Sequence, residues 1–102
     1  MGRVRPGWDE YYLAIARAVA ARSNCVRRQV GALVVVDNAI IATGYNGTPV
    51  GVRNCIDGGC PRCASDAPVG AGYDSCICVH AEQNAIVFAA RHGNATQGGT
   101  LY

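Results

Sequence analysis

At 102 residues, half of them hydrophobic, the chain has room for one small domain and is too apolar for a disordered tail. Its net charge of +2 is mild, every basic residue is Arg, and only Arg27-Arg28 are adjacent, which argues against a nucleic-acid-binding arm. No apolar run reaches membrane-span length, and residues 1–7 lack the apolar core of a secretory signal. A cytoplasmic location is therefore expected, where six Cys read as thiols or metal thiolates rather than disulfides.

In chain order, the sequence predicts a helix from Trp8 to Arg22, with Asp9 and Glu10 in the first turn and Ser23-Asn24 ending it. Tyr11, Ile15 and Val19 recur every fourth residue and are expected to line its apolar face. Val30 to Val36 is a continuous β-branched run, as in a strand buried on both faces. Asp37-Asn38 is a two-residue turn signal, and Ala39 to Tyr45 completes a hairpin. From Val50 to Tyr73 there is no periodicity, and a loop of that length calls for a function or a staple. His80 to Arg91 predicts a second helix, apolar on more than one side, with Gly93 placed for a left-handed cap. Gly99 to Tyr102 reads as the start of a third strand.

The chemistry concentrates in Cys76-Ile77-Cys78-Val79-His80-Ala81-Glu82, with Cys55, Cys60 and Cys63 upstream. Soft thiolates and a neutral imidazole suit Zn²⁺, and His-x-Glu suits a zinc-activated water with a carboxylate to carry its proton. His80 and Glu82, two residues apart, would diverge in mid-helix. At a first helical turn both can reach the space beyond the helix end, where unpaired backbone N–H groups favour an anion. Cys60-Pro61-Arg62-Cys63 has the spacing of a zinc knuckle, and four thiolates close a structural zinc site.

Four segments together carry a resemblance. They are Gln29-Val30-Gly31-Ala32-Leu33-Val34-Val35, Thr43-Gly44-Tyr45-Asn46-Gly47-Thr48-Pro49, Asn54-Cys55 with Gly58-Gly59-Cys60-Pro61-Arg62-Cys63, and Cys78-Val79-His80-Ala81-Glu82-Gln83-Asn84-Ala85-Ile86. From about Tyr12 to Tyr102 the chain resembles the deoxycytidylate (dCMP) deaminases of the zinc-dependent cytidine deaminase superfamily. The resemblance implies an α/β fold, a three-layer α/β/α arrangement. Here it comprises helix 1, a β-hairpin, a Cys-rich loop, helix 2 and the start of strand 3, in one domain over residues 1–102. It implies hydrolytic deamination of dCMP to dUMP in pyrimidine nucleotide metabolism. His80 would be a catalytic zinc ligand, Glu82 the proton shuttle, and Asn46 the partner of the sugar hydroxyl. Thr48, Arg28 and Arg53 are further substrate-binding candidates, the arginines for the 5′-phosphate.

Zinc deaminases also carry a Pro-Cys-x-x-Cys motif. This sequence has none. In the family that motif follows the third strand, so the resemblance implies an incomplete domain, one catalytic ligand of three, and little or no turnover by the isolated chain. It also implies a second, structural zinc, with ligands at positions that match Cys25, Cys55 and Cys78 and a fourth from Cys60, Cys63 or Cys76. Assembly is expected as a homo-oligomer or with a complementing C-terminal half, with a nucleotide as the small-molecule partner and neither membrane nor nucleic acid. The competing reading is a non-catalytic, zinc-stapled structural fragment or half of a split deaminase.

Overall fold

The computed structural model describes residues 3–65 and 77–102. Helix α1 (Trp8–Ala20) is followed by strands β1 (Gly31–Val36) and β2 (Ala39–Tyr45), helix α2 (Ala81–Arg91) and strand β3 (Thr100–Leu101). Helix α1 stops two residues before the expected end. The amides of Arg22 and Ser23 bond three residues back, to Val19 and Ala20, which tightens the last turn into a 3₁₀ form.

The hairpin forms where its turn signal lies. Asp37 and Asn38 both hold positive φ, 51° and 60°, the conformation a two-residue turn between twisted strands requires. Pairing runs Gly31 to Tyr45 and Val36 to Ala39, and Val34 faces Ala42 while Val35 faces Ile40, leaving Ile41 as a bulge in β2. β3 adds antiparallel to the free edge of β1, in the order β2-β1-β3. The backbone N–H and C=O of Tyr102 extend this pairing to Leu33.

β1 is buried on both faces, as its unbroken apolar run predicts. Ala32 and Val34, with Ala42, pack on Ala81, Ala85 and Ala89 of α2. Leu33 and Val35 pack on Tyr12 and Ala16 of α1. One helix on each face of the sheet gives the expected three-layer α/β/α arrangement.

The apolar face of α1 differs from the expected one. Tyr12 and Ala16 are its buried residues, Ile15 and Val19 flank them, and Tyr11 is exposed, edge-on to Trp8. The cause is Gly31. A Cβ there would lie 2.1 Å from the Ala16 carbonyl oxygen and 2.6 Å from the Ala20 nitrogen, so the Ala16–Ala20 row is the one that seats on the strand. Gly44 does the same for α2, since its Cβ would fall 2.4 Å from both the Ala81 oxygen and the Ala85 nitrogen. Gly44 thus serves helix docking rather than the turn that follows it.

Candidate metal centre and active-site cleft

The loops between these elements are tied by Asn24, just past α1. Its Oδ1 accepts from the Thr48 and Cys55 amides, its Nδ2 donates to Asn54 Oδ1, and its carbonyl accepts from Ile56 N–H. Gly47 pairs with Val79 through two backbone hydrogen bonds, which holds the segment before α2 against the end of β2. Together these contacts bring residues far apart in sequence to one end of the sheet.

Four of the predicted sulfurs meet there. Cys25, Cys55, Cys63 and Cys78 place their Sγ atoms within 4.8 Å of one another, with Cys25 and Cys63 3.9 Å apart. Tetrahedral Zn–S bonds of about 2.3 Å put sulfurs about 3.8 Å from each other, so the four fit a zinc ion. Cys60 is fully buried beside them but stands outside that mutual set. Cys76 lies outside the described residues.

The thiols differ in acidity. Burial pushes Cys25 up, but backbone N–H groups of Arg27 and Arg28 and the Cys63 and Cys55 sulfurs more than offset this and hold it below the ordinary thiol value. Burial likewise raises Cys60, and N–H donation from Cys63 and Ile77 with contacts to Cys63 and Cys78 brings it to about 6. Cys63 and Cys78 move well upward, through burial first and then their neighbouring sulfurs.

His80 is the N-cap of α2, one residue outside the helix predicted to start with it. Its backbone N–H reaches Gln83 Oε1 at 3.3 Å, the second half of a capping-box pattern. Its Nδ1 lies 3.5 Å from Glu82 Oε1, and the two side chains are 74% and 47% exposed. The first-turn position therefore does bring imidazole and carboxylate together. They border a cleft of about 600 Å³ that Asn46 and Arg28 also line, with Cys63 and Cys78 in its wall.

Asn46 is buried and well occupied. Its Oδ1 accepts from Val30 N–H and from the Ser23 hydroxyl, and one N–H of Nδ2 donates to the Arg28 carbonyl at 2.9 Å. Arg28 is exposed at the cleft, and Arg27 next to it donates to the carbonyls of Arg62 and Ser65. Arg53 is exposed and does not line this cleft. Thr48 borders a second cleft of about 390 Å³, and its buried hydroxyl has no partner. Among the described residues, the one cluster of three or more metal-ligating side chains is the Cys group, and His80 is not in it.

Two residues at this end escaped the sequence reading. Arg62 is buried and lines the cleft, a placement that an Arg inside a Cys-x-x-Cys gives no hint of. Asn24 read only as a helix stop, although a side-chain amide directly before one of the clustered Cys is a usable signal for loop bracing.

A family model described as the cytidine and deoxycytidylate deaminase zinc-binding region matches residues 6–102. The chain belongs to this deaminase family. It is 53% identical to the deoxycytidylate deaminase of Schizosaccharomyces pombe, over 87% of this chain and 28% of that protein. With the Saccharomyces cerevisiae deoxycytidylate deaminase it shares 46% identity, over 97% of this chain and 31% of that one. With the Mycobacterium phage D29 enzyme of the same name it shares 47%, over 96% of this chain and 77% of that one. The chain thus spans under a third of the two yeast deaminases and most of the phage one. A crystal structure of dCMP deaminase from the cyanophage S-TIM5, in complex with dCMP and dUMP, superimposes with a TM-score of 0.71 at 34% identity, over 97% of this chain and 65% of that one. No helix among the described residues of this deaminase-family chain is long and apolar enough to cross a membrane.

Proposed function

We propose that this chain, as one domain, carries part of the active site of a zinc-dependent deaminase that converts dCMP to dUMP. The observation that supports this most is the pairing of His80 and Glu82 at 3.5 Å on the rim of a cleft shared with Asn46 and Arg28. His80 supplies one ligand of a catalytic zinc. Zinc, when bound, acts as a Lewis acid that brings the pKa of water down to about 7.

Hydrolytic deamination adds water at C4 of cytosine and releases ammonia, so the departing amino group must gain a proton. Glu82 is the one carboxylate among the described cleft-lining residues, and it is exposed enough to exchange protons with what the cleft holds. It takes a proton from water and delivers it to the substrate. Asn46 has one N–H of its amide free of the bonds described, available to a sugar hydroxyl. Arg28 offers its guanidinium to the 5′-phosphate. Arg53 and Thr48 stand away from this cleft and take no part in the reading.

Cys25, Cys55, Cys63 and Cys78 hold a second, structural zinc that fixes the segment leading into His80. A catalytic zinc needs three protein ligands, and none of the described residues joins His80. The others therefore come from beyond this set, through a complementing segment or a homo-oligomer, in the cytoplasm where nucleotide pools are handled. That same deficit favours the second reading, a zinc-stapled piece without turnover of its own.

The test is formation of dUMP from dCMP by zinc-loaded protein, with cytidine and single-stranded DNA assayed alongside. The 102 residues alone are expected to give none above background. Addition of a polypeptide that carries Pro-Cys-x-x-Cys is expected to restore it for dCMP, with Glu82→Gln slowing it by about 10²-fold or more. Ordinary turnover by the isolated chain would refute the ligand deficit, and a complemented, metal-replete protein that ignores dCMP would refute the deaminase reading.

A further inference from the structure

The cleft that His80 and Glu82 border has a cationic wall. Its described lining includes three arginines, Arg27, Arg28 and Arg62, against one carboxylate, Glu82, which already lies 3.5 Å from the His80 ring. Arg27 and Arg28 are exposed, whereas Arg62 is only 7% exposed. The backbone under Arg62 is held firmly. Its carbonyl accepts from the Ser65 amide at 3.1 Å, the Ser65 hydroxyl at 2.6 Å and the Arg27 guanidinium at 3.2 Å. Arg27 also donates to the Ser65 carbonyl, so it grips the loop that carries Arg62 and brings the two arginines to the same part of the cleft.

Like charges gathered on one wall repel, and a bound anion removes that repulsion. A buried guanidinium meets an anion in a lower dielectric than an exposed one does, and little freedom is lost when its backbone is already fixed. Its fork of five N–H donors fits phosphate oxygens two at a time and still serves contacts within the protein. We infer that Arg62 is the residue by which this cleft tells a nucleotide from a nucleoside, as the buried half of a 5′-phosphate subsite whose exposed half is Arg28. Arg27 is a positioning residue that acts through the Arg62 carbonyl. This deepens the reading of the cleft as a dCMP site and rests on it.

The test is binding of dCMP, deoxycytidine, dGMP and inorganic phosphate to the full zinc-loaded chain, by calorimetry at fixed ionic strength. The parent is expected to bind dCMP about tenfold or more tightly than deoxycytidine. Arg62→Gln is expected to abolish that preference and to weaken phosphate binding alike, while Arg28→Gln lowers the preference only about threefold because its charge is screened. Arg62→Lys, which keeps the charge and loses the fork, is expected to keep part of it. An unchanged preference in Arg62→Gln overturns the inference, and so does equal weakening of dCMP and deoxycytidine, which makes Arg62 structural. Where Arg62→Gln does not fold, Arg62→Lys and Arg27→Gln decide: a reduced preference supports the subsite, and the full preference in both overturns it. A parent that binds neither dCMP nor phosphate overturns it too. Arg62-dependent phosphate binding with no preference for dCMP over dGMP would support the subsite and count against the cytosine reading alone.

Discussion

At Gly44 the backbone of α2 occupies the space a side chain would need. Gly44→Ala would place a methyl 2.4 Å from two backbone atoms that cannot rotate away. The helix must lift from the sheet, and with it Ala81 and Ala85 from the core. The expected loss is about 3 kcal/mol, the upper range for overpacking, read as a lower denaturant midpoint. Asn46→Ala belongs to the same scale. It strips the Val30 amide and the Arg28 carbonyl of their shared partner, while the Ser23 hydroxyl keeps the backbone carbonyl at this position. A loss of about 2 kcal/mol in chemical denaturation is expected from these orphaned groups. Leu at either position is not a conservative alternative, because one site has no volume to give and the other requires three polar bonds.

Between elements, the hairpin turn and the contact of α1 with Tyr102, just past β3, each depend on a short stretch. Asn38 sits at φ 60°, a conformation Asn tolerates and a β-branched residue resists. Asn38→Val is expected to destabilise the protein by about 1–2 kcal/mol and Asn38→Gly to leave it unchanged or more stable, by thermal unfolding of the two side by side. The Tyr12 hydroxyl donates to the Asn38 carbonyl, so a distorted turn also loosens α1. At the other edge, the Tyr102 hydroxyl donates to Asp9 Oδ1 at 2.6 Å, joining the first turn of α1 to the end of the sheet. That bond, first among the causes, raises the Tyr102 pKa above its ordinary value. A group with a raised folded pKa stabilises fully below its unfolded value, about 10 for Tyr, and loses that contribution as pH climbs through the folded value. Stability is therefore expected to fall more steeply above pH 10 in the parent than in Tyr102→Phe, measured as denaturant midpoint against pH; identical alkaline slopes would show that the bond does not couple to folding.

For the whole molecule, the core and the Cys-rich end are stabilised in different ways. The sheet and its two helices bury aliphatic and aromatic side chains on both faces. The loops at the far end bury chiefly thiols and hang on Asn24, the Gly47–Val79 pairing and the sulfurs themselves. Metal that binds only the folded arrangement stabilises it by mass action. Chelation is accordingly expected to raise amide exchange in residues 46–65 and 77–80 by at least about tenfold while the hairpin and the core of α2 change little. Uniform protection with and without chelator would mean that no metal holds this end.

Local pattern was enough for the elements. Asp37-Asn38 between two β-branched runs has few conformations other than a tight hairpin, and His-Ala-Glu ahead of an Ala-rich stretch marks a helix start to within a residue. The sequence by itself therefore determined the order of helices and strands, the two-sided burial of β1, and the pairing of His80 with Glu82 at a helix mouth. It could not determine which side of α1 faces the sheet, because that depends on the missing Cβ of Gly31 on another element. Nor could it choose Cys63 as the fourth sulfur or send Thr48 and Arg53 away from the cleft. Those outcomes follow from the path of aperiodic loops, and hydrogen bonds between residues 23 to 39 positions apart fix that path. Periodicity reports a residue's own element; only the assembled chain decides which distant side chains share a site.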